Sequence, residues 1–147
     1  MGEIRLNSVL EDLILNIEET VKRAKENLAG VVNSTMTETY WLIGKYIVES
    51  EQNGNIKATY GSKLLTTLSK ELTLRLGKGY SRPNLNNMRK FYLKYPDDHS
   101  ESDKLSWSHI CELIKIDDDL ERSFYEKETI SEKWGVRELQ RQMESAL

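Results

Sequence analysis

Apolar residues at positions 10, 14, 17, 21, 24, 28 and 31 recur at alternating four- and three-residue steps. This is the spacing of a heptad seam on one helix face, and it predicts a first helix from Leu6 to about Leu28. Ala29-Gly30 and Asn33-Ser34 offer places to interrupt it. A second helix is expected over about Ser34–Ser50, with Met36, Tyr40, Ile43 and Ile47 on one face. Together the two predict a long N-terminal helical hairpin. The polar run EQNGNIKAT (Glu51–Thr59) carries an Asn53-Gly54 turn signal and is expected to be a loop. A third helix, about Tyr60–Leu76, should bury a stripe of Leu64, Leu65, Leu68, Leu72 and Leu76. Gly77-Lys78-Gly79 stops it, because glycine supplies the left-handed cap.

Ser81 then caps a fourth helix with Pro83 in its first turn, where a missing N–H does no harm. Tyr95-Pro96 ends that helix, since the residue before proline is pushed out of the α region. Beyond a polar loop, Asp97–Lys104, three shorter helices are expected over about Trp107–Lys115, Asp118–Glu128 and Glu132–Ala146, with Ser106, Asp117 and Ser131 as caps. No alternating strand pattern persists. The expected fold is all-α: a helical hairpin over 1–56, followed by a helix-turn-helix-like helical domain over 57–147, in one compact unit.

Charge changes this picture. The chain carries a formal net charge of −3. Yet Lys57 to Lys94 holds nine Lys or Arg and one acid, Glu71, so that segment is +8 and the rest is −11. Solvated surfaces mix both signs, so a single-sign block of this length needs a cause. A polyanionic partner met by one side of the molecule supplies one.

On a helical wheel turning about 100° per residue, Leu85, Met88, Phe91, Tyr92 and Tyr95 share one side of the fourth helix. Asn86, Asn87, Lys90 and Lys94 take the opposite side, with Arg82 and Arg89 on a flank. Asn and Arg pair bidentately with adenine and guanine edges, and Lys and Arg neutralise phosphates. A leucine-striped helix, a glycine turn and a capped second helix form a helix-turn-helix pattern, in which the second helix enters the major groove. The candidate nucleic-acid residues are therefore Arg82, Asn86, Asn87, Arg89, Lys90 and Lys94 on the second helix. Lys63, Lys70, Arg75 and Lys78 on the first helix and the turn are placed to meet phosphates. DNA, double-stranded, is the expected partner. A module that docks an acidic protein through the same basic face, without touching DNA, is the alternative. The N-terminal heptads can pair with a second chain as a homodimer or with the chain's own second helix, and the sequence leaves both open.

Candidate chemistry is sparse. A nuclease signature needs metal-holding acids with a lysine two residues after one of them, and no lysine here has Asp or Glu at that spacing. His109, Cys111 and His99 do not form a tetrahedral zinc set, and His109 reads as a structural or surface histidine. Gly77–Gly79 lacks the spacing of a phosphate-binding loop. The tryptophans Trp41, Trp107 and Trp134 fall on apolar stripes and read as core. No catalytic residue, metal or cofactor is expected. Cys111 is the sole cysteine, no apolar run is long enough to span a membrane, and the N-terminus shows no basic-then-apolar leader. A cytoplasmic setting without a membrane partner is expected.

Several short motifs occur in a fixed order: Tyr40-Trp41-x-x-Gly44-x-x-Ile47, Tyr60-Gly61 before the leucine helix, and Gly77-x-Gly79-Tyr80-Ser81. They are followed by Asn84-Leu85-x-x-Met88-Arg89-x-Phe91-Tyr92, Leu105-Ser106-Trp107-Ser108-His109, Phe124-Tyr125 and Trp134-x-Val136-Arg137-Glu138-Leu139-x-Arg141-Gln142. In these, from about Leu6 onward, the chain resembles the N-terminal domain of the YhcG family. The resemblance implies a helical DNA-binding module, followed in full-length members by a nuclease domain of the PD-(D/E)xK type. That domain would begin where this sequence ends, at Leu147, so the resemblance places no catalytic residue on this chain. It implies a nuclease domain or partner chain as the module's associate.

Overall fold

A computed structural model of the chain describes residues 2–97 and 99–145, with the side chains at 2–13, 16–18 and 21 outside the description. The described residues are all-α. Helix α1 spans Gly2–Gln52, α2 Gly54–Tyr60, α3 Leu64–Leu76, α4 Arg82–Lys94, α5 Trp107–Leu113, α6 Asp119–Glu132 and α7 Val136–Ser145. Short 3₁₀ turns occupy Gly61–Lys63 and Ser102–Lys104. Two compact units are distinguished, Met1–Val32 and Asn33–Leu147.

The expected N-terminal hairpin is replaced by one helix of 51 residues, with residues 29–34 helical throughout. A solitary glycine costs a helix only about 1 kcal/mol, and Gly30 faces open space. The polar residues after it bond without leaving the helix: Thr37 Oγ1 donates to Asn33 O and Thr39 Oγ1 to Thr35 O, each at 2.8 Å. No proline forces a stop. Of the heptad positions, Ile14 and Leu28 are solvent-exposed, while the side chains of Leu10, Ile17 and Val21 lie outside the described residues.

The expected 51–59 loop is also helical in most of its length. Asn53 is extended and breaks the helix between α1 and α2, and its side chain accepts from the N–H groups of Asn55 and Ile56, so it caps α2. Helix α3 keeps Leu64, Leu65, Leu68 and Leu72 half-buried, but Leu76, expected in that stripe, is 63% exposed. It is the last residue of α3. Ser106 caps α5 as expected. Asp117 does not cap α6, because its carboxylate is taken by Lys94 at 2.9 Å, and the N-cap position falls to Asp118. Ser131 lies inside α6, which continues until Lys133 adopts the left-handed conformation (φ 54°), so α7 starts at Val136.

The core of the second unit is organised around α4. Leu85 and Met88 join Ile47 in one cluster, packed by Tyr40, Ile43, Leu68 and Tyr80 among others. Phe91 belongs to a second cluster with Leu105, Ile110, Leu113, Tyr125 and Leu139. Trp107 packs against both. The apolar side of α4 read from the sequence is thus fully buried at Leu85, Met88 and Phe91. The three tryptophans, expected in the core, are half-buried and packed against it.

Candidate nucleic-acid interface

Two adjacent helices and the turn between them carry the basic segment. Ser81 adopts an extended conformation and its Oγ accepts from Asn84 N at 3.2 Å, with Pro83 in the first turn, so α4 starts where its sequence dictates. Gly77 (φ 90°) and Gly79 (φ 110°) occupy the positive-φ region that side chains disfavour. Ser69 Oγ on α3 donates to Tyr80 O at 2.7 Å, and Asn84 Nδ2 donates to Gly79 O at 2.6 Å. The turn is therefore tied to both helices. α3 packs directly against α4.

Helix α4 is held at both ends and in the middle. At its start, Trp107 Nε1 donates to Asn84 Oδ1 at 2.8 Å. At its end, Trp41 Nε1 donates to Tyr95 O at 2.7 Å, satisfying a carbonyl that the helix leaves without an internal partner. In the middle, α1 approaches so closely at Gly44 that a Cβ there would sit 2.0 Å from Met88 O. Buried Arg122 adds a clasp: it donates to Ile116 O at 2.8 Å and to Lys94 O at 3.4 Å, pairs with Asp119, and lies over the Tyr95 ring. The sequence motifs that carry Trp41, Gly44 and Trp107 thus meet on one helix. Gly44 was not singled out for this task from the sequence. A glycine inside an otherwise apolar helical stretch was the available signal for close backbone approach.

The structure sorts the sequence-predicted residues into two groups. Asn87 turns inward, its Nδ2 3.6 Å from Cys111 Sγ. Arg89 pairs with Glu51 of α1, Lys94 with Asp117, and Arg75 with Glu71 one helical turn away at 3.7 Å. The Lys94 contact holds the Asp117 carboxyl below its ordinary range. By contrast, Lys63, Lys70, Lys78, Arg82 and Lys90 are exposed and their side chains enter no ion pair or hydrogen bond among the described residues. Half-buried Asn86 lines a shallow hollow with Leu65, Arg82 and Pro83. Arg82, Asn86 and Lys90 stand at four-residue intervals and so form one stripe along α4.

The remaining candidates for chemistry are accounted for structurally. His109 closes a capping box with Ser106, and its Nε2 donates to Trp134 O at 2.8 Å. Burial pushes the Cys111 thiol up to about 11, which leaves little thiolate for nucleophilic work. His99 lies between Glu38 and Asp103, at 2.8 and 3.2 Å. Among the described residues no group of three His, Cys, Asp or Glu could hold a metal ion, and no helix is long and apolar enough to cross a membrane.

A family model described as the DUF1016 N-terminal domain matches residues 16–147. A curated relative, "Putative nuclease YhcG" of Escherichia coli (strain K12), is 35% identical over 155 residues, covering 84% of this chain and 41% of the relative. The chain therefore spans about two-fifths of that relative's length. No solved structure was found to match it.

Proposed function

Because the chain belongs to the DUF1016 N-terminal domain family, we propose that it is a double-stranded-DNA-binding module serving a nuclease. Its interface is α3, the glycine turn and α4. One observation carries this: the stripe of exposed Arg82, half-buried Asn86 and exposed Lys90, in no ion pair among the described residues, on a helix fixed at its start, middle and end. A fixed helix with unsatisfied donors along one face suits major-groove entry, because little ordering cost remains at binding. Lys63, Lys70 and Lys78 surround it as phosphate contacts. Asn86 and Arg82 are the base-reading candidates. Asn87, Arg89, Arg75 and Lys94 serve the fold and its ion pairs first. The relative's name supplies the nuclease association, and the chemistry would belong to a part of such a protein beyond the segment matched here. This chain binds and does not cut.

The test is a duplex titration followed by fluorescence anisotropy at several salt concentrations, with magnesium present. The unaltered chain should bind with a steep salt dependence and leave the duplex intact. The combined reversal Lys63→Glu, Arg82→Glu, Lys90→Glu should lower affinity at least tenfold and flatten the log–log salt slope by about 0.9 for each lost phosphate contact. Equal affinity for the variant and the unaltered chain, with folding intact by circular dichroism, would reject the interface.

A further inference from the structure

Residues 1–32 form a unit of their own, helical from Gly2 onward. An isolated helix is marginal in water, and most helical stability in proteins comes from packing an apolar face. Here that face is uncovered within the chain: Ile14 is 41% exposed, Leu28 63% and Val31 62%. The heptad assigns Ile14, Val21 and Leu28 to position a, and Leu10, Ile17, Ala24 and Val31 to position d. Glu18 and Lys25 then fall at e, beside the seam. Positions 10, 13, 17, 18 and 21 enter by their place in the sequence and helix alone.

We infer that this helix pairs with the same helix of a second copy, and that the two run antiparallel. Charge and size complementarity decide the direction. In a parallel pair every residue meets its own copy, so Ala24 would face Ala24 and leave a thin layer mid-seam. The flanks would set Leu13 against Glu18 and Thr20 against Lys25, with no opposite charges matched. In an antiparallel pair whose two-fold axis passes between Lys22 and Arg23, position a meets position d. Val21 then covers Ala24, Ile17 meets Leu28 and Ile14 meets Val31. The same register sets Glu18 against Lys25 of the other copy, twice by symmetry. Lys22 and Arg23 lie at outer positions, so their like charges are not forced together. The interface is isologous and closes on itself, giving a dimer and not a filament.

Direction is read by cross-linking in the full chain with Cys111→Ala as background. Ile14→Cys and Val31→Cys chains, one carrying a mass tag, are mixed and oxidised. The antiparallel register predicts the mixed 14–31 disulfide as the dominant product. Products joining only like chains would overturn it, as would a strictly monomeric unaltered protein up to high micromolar concentration. Charge provides a second measurement that leaves the seam intact. Glu18→Lys or Lys25→Glu alone should weaken the dimer about five- to tenfold, since two attractive pairs become repulsive. The double variant Glu18→Lys, Lys25→Glu should restore it. Failure of that restoration, after loss in both single variants, would also overturn the register.

Discussion

Glu126 is 5% exposed and accepts from Tyr95 Oη at 2.6 Å and from Ser102 Oγ at 3.4 Å. Burial raises its carboxyl above the ordinary 4.5, and the two hydrogen bonds only partly oppose that. A raised carboxyl contributes its full stability below the ordinary value and loses it as pH climbs through the raised one. Glu126→Gln keeps an acceptor for Tyr95 and cannot ionise. The unaltered protein should therefore lose stability relative to Glu126→Gln as pH rises above the ordinary 4.5, and the difference should close in acid. Thermal melts across that range check it. At this scale the sequence was a partial guide. The wheel placed Leu85, Met88 and Phe91 correctly, because burial follows from one helix's own periodicity. It also gave Asn87 and Lys94 to the solvent face and Arg89 to its flank. Their partners, Cys111, Glu51 and Asp117, come from elements 23 to 38 residues distant, and a wheel of one helix contains no information about them.

Among the elements, α4 is the one on which the others converge. Gly44 is the point where α1 meets it backbone to side-chain-free backbone. Gly44→Ala would place a methyl 2.0 Å from Met88 O and 2.7 Å from Met88 C, so α1 or α4 must shift. The expected cost is about 1–3 kcal/mol, read as a lowered urea midpoint with an unchanged slope. Gly30→Ala, facing open space within a helix, should instead stabilise by up to about 1 kcal/mol. The contrast between two glycines of one helix also explains what was legible. Both were visible in the sequence as weak helix formers. Their opposite meanings depend on whether another backbone passes nearby, which only the folded chain decides. The same limit turned one long helix into an expected hairpin: Gly30 and Asn33-Ser34 resemble a break, and nothing local states that the break is too weak to act.

For the molecule as a whole, segregated charge was the most informative sequence feature, and the structure refines it. Three of the nine cations in Lys57–Lys94 are matched by Glu51, Glu71 and Asp117. The rest, Lys57 included, leave the basic character to α2, the turn regions, Lys70 of α3 and the outward stripe of α4. Trp41 and Trp107 give this arrangement an optical consequence. Their indole N–H groups bond to the two ends of α4, so α4 cannot loosen without changing the surroundings of an indole. In a Trp134→Phe protein these two would be the only tryptophans, and their emission, excited selectively, would be an intrinsic gauge on the helix proposed to enter the groove. On denaturant titration their red shift should coincide with the loss of helical ellipticity. Emission that shifts first would mean that α4 detaches ahead of the rest and is the loosest part of the second unit.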